Sequence, residues 1–358
     1  MGDRASGPLV GVRVLEFAGL GPPQHAATLL ADMGADVVRV ERIHGLERSP
    51  TSTLSRGRTS IEFDLKDPAD IERCWAAIRK ADVLIEGYRP GVMERLGFGP
   101  ETALKENPRL IYGRMTGWGQ TGPLAMTAGH DINYIAITGA LAGMGTPGAV
   151  PTPPMNLVGD FGGGSLYLTM GVAAALFERE RSGKGQVIDA AIVDGVASLM
   201  VPYCGLLKAD PRFAHRENLP LGGVEAHYRC YECADGKYFS VGPLEPQFHA
   251  ELLESLGLPA ALAKTPEETA LLTAKFKERA RDEWTAHFEG SNACVAPVLD
   301  LAEAQAHPHI RARETYVMHE GMMQSAPAPR FSRTPGAIQS GPCTPGVGGA
   351  ERLGIWGA

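Results

Sequence analysis

No run of about eighteen consecutive apolar residues occurs in the chain, so a helix that crosses a membrane alone is not expected. The opening Met1-Gly-Asp-Arg-Ala-Ser-Gly is polar and lacks the basic-then-apolar form of a leader, and a cytoplasmic protein is the expectation. Positive charge is in deficit: 34 Lys and Arg stand against 41 Asp and Glu, and the net −7 is spread along the chain. That balance argues against a general nucleic-acid or anionic-membrane surface. Cysteine is sparse, six residues scattered over 358, which fits reduced thiols better than a disulfide framework. Cys230-Tyr-Glu-Cys233 has metal-knuckle spacing, but no second Cys or His pair stands at the usual distance. The segment alternates like a strand and turns at Asp235-Gly236, so these are read as hairpin residues.

Motifs are missing as well. Without Gly-x-x-x-x-Gly-Lys-Ser/Thr, hydrolysis of a nucleoside triphosphate has no support, and without Gly-x-Ser-x-Gly an esterase is disfavoured. His-x-x-x-His is absent, and His307 and His309 fall in a polar loop as a solvated pair. No metal site and no organic cofactor are expected.

What is present is a core-forming chain, 44% hydrophobic over 358 residues, long enough for two domains. Strand Val12–Glu16, the turn Gly19-Leu-Gly21, an apolar helix to about Met33 and strand Asp36–Val40 make a parallel α/β unit. Glu41 stands where a ribose-binding acid would. The dinucleotide reading fails because Gln24 replaces the third glycine and Pro22 and Pro23 remove donors from the turn. Strands at 59–64, 82–86, 109–116 and 185–190 and a helix at 68–80 continue the pattern. A large Rossmann-like α/β domain is therefore expected over 1–208 and 325–358, a linker at 209–223, and a smaller α+β domain at 224–324 with a hairpin and three helices. The Pro- and Gly-rich stretch 324–349 reads as an extended return across the first domain.

The chemistry concentrates between Ala128 and Gly164. His130 and Asp160 each lie beside glycine, each at the expected start of a helix, and the helix after Asp160 is apolar enough to be buried. The glycines Gly162 to Gly164 suit close approach of a ligand to the backbone. Two such groups suit proton transfer at carbon, with the helix N-terminus at Asp160 holding an enolate oxygen. Asp160 also reads as an N-cap and His130 as a hydrogen-bonded core histidine. Arg39, Arg42, Lys66, Arg89 and Arg95 follow strands, where guanidinium forks bind phosphate oxygens or simply face solvent.

The segments Val83-Leu-Ile-Glu-Gly-Tyr-Arg-Pro-Gly-Val92, Arg114-Met-Thr-Gly-Trp-Gly-Gln-Thr-Gly-Pro123, Gly129-His-Asp-Ile-Asn-Tyr134 and Asn156-Leu-Val-Gly-Asp-Phe-Gly-Gly-Gly164 resemble the α-methylacyl-CoA racemase family of the class III CoA-transferase superfamily. The resemblance runs from Gly11 to about Arg333. It implies that His130 and Asp160 are bases on opposite faces of a substrate α-carbon and that Glu245 partners His130; on the residues alone Glu245 is a helix-start acid. It implies that Arg42, Phe63, Asp64, Leu65, Lys66, Gly87, Tyr88, Arg89, Arg95, Gly129, Asp131, Ile132, Asn133 and Tyr134 bind the CoA thioester. It also implies an interlocked homodimer with shared sites and no cofactor. Departures fall at Arg42 to Arg58, at Arg229 and Cys230, and in the last twenty-five residues. A CoA-transferase acting through an aspartyl thioester and a non-catalytic acyl-CoA binding protein are the alternatives.

Overall fold

The structure is a computed structural model and describes residues 6–43 and 52–358. Most of the polar opening of the chain and the middle of the departing segment from Arg42 to Arg58 lie outside the described residues. The chain divides into two compact units, one of residues up to Thr138, Pro154–Met200 and Arg313–Ala358, the other Gly139–Pro153 and Val201–Ala312. Residues 139–153 thus go with the second unit and 313–324 with the first, whereas the expected boundaries assigned both the other way.

The first unit is a parallel sheet. Strands β1 (Arg13–Phe17), β2 (Asp36–Arg42), β3 (Arg58–Phe63), β4 (Val83–Glu86), β5 (Ile111–Thr116) and β6 (Gln186–Ala191) lie in the order β3-β2-β1-β4-β5-β6. The order reverses between β1 and β4, the place where doubly wound sheets open a crevice beyond their carboxyl ends. Helices α1 (Pro22–Asp32), α2 (Pro68–Lys80), α3 (Val92–Arg95) and α4 (Pro100–Glu106) come from the first crossovers, α5 (Asp131–Ile137) and α6 (Leu166–Ser182) from the last, and α7 (Ile192–Leu199) follows β6. Asp67 caps α2 by accepting from the Ala69 N–H at 2.7 Å, and Pro68 supplies its fixed φ at the first helical position. Leu15, Phe17, Val38, Val40, Ile78, Leu84 and Tyr112 form the core on that face of the sheet.

The opposite face of β1, β2 and β3 is charged and still buried. Glu16 in mid-β1 pairs with Arg39 of β2 and Arg58 of β3, and Arg39 Nε lies 2.8 Å from Glu41. Arg58 also donates to Thr28 Oγ1 at 2.6 Å and Leu54 O at 2.9 Å, which ties α1 to the sheet. Arg39 is therefore an internal ion-pair residue rather than a strand-end phosphate ligand. Glu41 answers Arg39.

Helix α6 corrects a second expectation. Leu168, Val172, Ala175 and Leu176 are buried, but Leu166, Met170 and Phe177 are more than half exposed, so only one face of this helix is covered within the chain. Among the described residues no single helix is long and apolar enough to cross a membrane. None of the six cysteines is in a disulfide.

In the second unit, α8 (Val201–Ala209) leads through two short 3-10 turns, Pro211–Ala214 and Arg216–Asn218, to strands β7 (Arg229–Glu232), β8 (Tyr238–Val241) and β9 (Val295–Pro297), an antiparallel sheet. Helices α9 (Pro246–Ser255), α10 (Glu268–Phe276) and α11 (Arg281–His287) cover it, and α12 (Leu301–Ala306) and α13 (Pro308–Ala312) follow. Tyr231, Phe239, Phe276, Trp284 and Phe288 stack through its core, for example at 5.2 Å between Tyr231 and Phe276. Cys230 and Cys233 belong to the hairpin, as their alternation predicts.

The chain then returns to the first unit through a hairpin, β10 (Tyr316–His319) and β11 (Met322–Ser325), whose Ser325 carbonyl accepts from Arg56 at 2.9 Å. The Pro- and Gly-rich stretch does run across the first unit: Gly57 N–H donates to Ser340 O at 3.1 Å and Ser60 N–H to Val347 O at 2.9 Å. It ends in α14 (Gly349–Trp356), anchored by Arg352 and Trp356 on Asp36 at 2.7 and 2.8 Å.

Glu16 is wholly buried between two guanidinium groups, so Glu16→Gln leaves buried positive charge uncompensated and should lower unfolding stability by roughly 3 kcal/mol in urea titrations. A loss below about 0.5 kcal/mol would mean that the ion network does not hold these strands.

Candidate active site

The glycine-rich loops and the basic strand-end positions lie at the carboxyl ends of strands of the first unit. Gly21 follows β1, Arg42 ends β2, Asp64 to Lys66 follow β3, Gly87 to Gly91 follow β4, and 117–129 follow β5 before α5. Glu86, the last residue of β4, fixes the next loop by accepting from the Tyr88 N–H at 2.7 Å while pairing with Arg114 at 3.0 Å. Burial pushes the Glu86 carboxyl up to about 6 despite these two partners.

His130 is the N-cap of α5 and its own N–H donates to Asn133 Oδ1 at 3.0 Å, leaving the imidazole exposed. It is no core histidine. Tyr134, one turn on, donates to Gly129 O and packs edge-on against Trp118 with ring centroids 4.7 Å apart. With Gly87, Tyr88, Arg89, Thr116 and Ala128 these residues line a cavity of about 270 Å³. Trp118 joins the cavity wall although its place in a glycine-rich loop gives no sign of it in the sequence.

Asp160 does not open an α-helix. A π-helix runs Leu157–Ser165 with Asn156 as its N-cap and continues into α6, so Asp160 lies inside its first turn. The Asp160 N–H is also not available to a ligand: it donates to Asp131 Oδ1 at 2.6 Å. Asp131 is thus turned away from solvent, toward the π-helix. Its carboxylate fits because residue 159 is glycine; a Cβ there would come within 2.2 Å of Asp131 Oδ1. The glycine run likewise serves packing rather than approach of a ligand, since a Cβ on Gly163 would meet Val196 of α7 at 2.6 Å. On the other side His25 of α1 packs at a tilt against Phe161, ring centroids 4.5 Å apart, and places Nδ1 2.6 Å from Ser165 Oγ. Ser165 gives its own proton to Phe161 O, so His25 Nδ1 is the donor of the pair. Burial, with Arg56 and Arg58 adding to it, pushes the His25 imidazole down to about 4 and keeps it neutral.

The Asp160 side chain is half-buried. Its Oδ2 lies 3.4 Å from Asn156 Nδ2 and 3.6 Å from where a Cβ on Gly21 would stand. Burial raises its carboxyl above the ordinary range; the Asn156 hydrogen bond opposes this, the Asp131 charge adds to it and His130 opposes it. A carboxyl raised above its ordinary range is better suited to taking and returning a proton.

Arg42, Phe63, Asp64, Leu65 and Lys66 line a second cavity of about 540 Å³ with Ile43 and Leu96. Phe63 is a core residue that only borders it. Tyr88, which borders the first cavity, lies under the Arg42 guanidinium at 5.3 Å and so relates the two. Arg95 lines neither; it ends the short α3, close to Gly91. Ile132 and Asn133 are exposed on α5. Glu245 belongs to the second unit, where it is the N-cap of α9 without a side-chain capping bond.

The sequence profile of CoA-transferase family III matches residues 9–350. The chain belongs to CoA-transferase family III. Among family members it is 44% identical over 353 residues to the α-methylacyl-CoA racemase of Mus musculus, covering 95% of this chain and 90% of that one. It is 40% identical over 348 residues to the Homo sapiens protein of the same name, again over 95% and 90%. A CAIB/BAIF family protein from Brucella suis superposes with a TM-score of 0.84 at 26% identity, over 98% of this chain and all of the other.

Selective carboxyl labelling and NMR titration should find Asp160 above the ordinary carboxylate range. Asp131→Asn keeps the oxygen acceptor but removes a negative neighbour, so the Asp160 midpoint should fall; Asn156→Ala removes a donor to the carboxylate, so it should rise. Midpoints unmoved by both changes would refute this account of the site's electrostatics.

Proposed function

We propose that this protein interconverts (2R)- and (2S)-2-methylacyl-CoA thioesters by transfer of the α-proton through an enolate, with no metal or organic cofactor in the chemistry. The observation that carries the reading is the His130 and Asp160 pair: an exposed imidazole and a carboxyl raised by burial, held on adjoining segments at the open edge of the sheet. The racemases named above, at 44% and 40% identity, support it.

In this mechanism the thioester lies between the two groups. One removes the α-proton from one face while the other, already protonated, delivers a proton to the opposite face. The enolate oxygen needs donors, each typically worth about 3 kcal/mol. The Asp160 amide is taken by Asp131, so we assign this role to the Asp131 and Ile132 amides that open α5, beside His130, which have no backbone acceptor among the described residues. The CoA moiety is assigned to Arg42, the 63–66 loop, the 87–89 loop and Arg95. The cations suit its phosphates, and the two neighbouring cavities support the assignment.

The enzyme is proposed to work as an interlocked homodimer in which Glu245 of one chain orients His130 of the other. Two observations support this. The Glu245 carboxylate has no hydrogen-bond partner among the described residues, and α6 carries an exposed apolar face at Leu166, Met170 and Phe177. Six cysteines without a disulfide suit a reducing, cytoplasmic setting.

A single enantiomer of a 2-methylacyl-CoA incubated with the protein in deuterated water should take up deuterium at the α-carbon and approach an equal mixture of enantiomers with no second acid present. Turnover that requires an acceptor carboxylic acid, with an acyl-enzyme trapped by hydroxylamine, would establish a transferase instead. Binding without α-exchange would leave only an acyl-CoA binding protein.

A further inference from the structure

The second unit buries a set of polar groups that the proposed reaction does not use. His227 precedes β7, His249 lies in α9 and Glu268 opens α10; they are 7%, 2% and 0% exposed. Their ligand-capable atoms all lie within 4.8 Å of one another. The two imidazoles stack with centroids 4.9 Å apart, and His249 Nε2 is hydrogen-bonded to Glu268 Oε1. Glu268 Oε2 accepts the Lys264 N–H at 2.7 Å, which holds the carboxylate in place. His227 Nδ1 is buried with no hydrogen-bond partner among the described residues. Such an atom costs stability where it stands, and buried nitrogens of this kind are ordinarily satisfied.

We propose that His227, His249 and Glu268 form a binding site for a divalent transition ion of the zinc class. Two imidazoles and a carboxylate are a donor set that zinc accepts, with the fourth position left to water. Ligands held about 2.0–2.1 Å from zinc stand about 3.3 Å apart, so small side-chain rotations within the observed 4.8 Å suffice. The ion enters between His249 and Glu268 and replaces their hydrogen bond; the His249 proton moves from Nε2 to Nδ1, so the neutral imidazole presents Nε2 and the carboxylate presents Oε1 to the ion. His227 Nδ1 gains the partner it lacks. The Lys264 N–H remains on the second carboxylate oxygen as the supporting contact that orients a ligand. The three positions are separated by 22 and 19 residues and show no metal motif in the sequence, which is why spacing alone does not reveal them. The site would join β7, α9 and α10 at the core of the second unit.

The full-length protein, freed of metal by chelator dialysis, should bind one equivalent of Co²⁺ with tetrahedral d–d absorption and release it to Zn²⁺. Zn²⁺ should raise the melting temperature in a concentration-dependent way. His227→Phe and His249→Phe, which preserve bulk, should each weaken binding by more than the roughly 10- to 100-fold that loss of a supporting group costs, and abolish the thermal shift. Glu268→Gln should do the same; since Gln keeps the shape of Glu, it tests the site if a Phe variant does not fold. A His307→Ala/His309→Ala protein should bind as the parent does. Absence of stoichiometric binding in the parent, or affinity unchanged in the folded site variants, would overturn the proposal. None of these readouts depends on racemase activity.

Discussion

The hydrogen bond from the Asp160 N–H to the Asp131 carboxylate is the contact on which the site depends. Asp131 begins α5 immediately after His130, and Asp160 lies in the π-helix that leads into α6. One bond therefore sets where the imidazole's helix stands relative to the acid. It works because Gly159 leaves room for the carboxylate and because Gly163 lets the π-helix settle against α7. The same carboxylate, by its charge, helps raise the Asp160 carboxyl. Position and proton affinity are thus adjusted by one buried side chain, which a CoA-contacting role in solvent could not do.

The sheet supplies the rest of the frame. Reversal of strand order between β1 and β4 opens a crevice beyond the carboxyl ends of the strands, and the cavity residues begin at Gly87 after β4 and at Thr116 at the end of β5. The buried ion network of Glu16, Arg39 and Arg58 fixes β1, β2 and β3 beneath that edge. Burying charge is unfavourable in itself, but once the partners are matched, each one becomes costly to remove.

Much of this is legible in residue order, and the failures have physical reasons. Pro68–Lys80 is readable because a capping aspartate and a proline announce the helix. Asp36–Arg42 is readable as a strand, yet Arg39 reads there as a phosphate ligand or a solvated charge. In a parallel sheet covered on both faces, alternation does not say which face is solvent, and an internal ion pair looks like surface charge. The π-helix is hidden because glycines at 159 and 162–164 carry no periodic side chains, and their reason is packing by residues far along the chain. His130 was readable by its place beside Gly129 and Asp131. The cluster of His227, His249 and Glu268 was not, since only the fold of the second unit brings those positions together.

The central claim is that His130 and Asp160 serve opposite faces of one α-carbon. Deuterium uptake from each enantiomer of a 2-methylacyl-CoA, read by mass spectrometry with chiral analysis of the hydrolysed acid, tests it in His130→Ala and Asp160→Asn proteins. Both variants should lose net racemisation, and each should keep slow exchange for one enantiomer only, a different one in each variant. If both kept exchange for the same enantiomer, or if Asp160→Asn racemised at the parent rate, the two-base account would be contradicted.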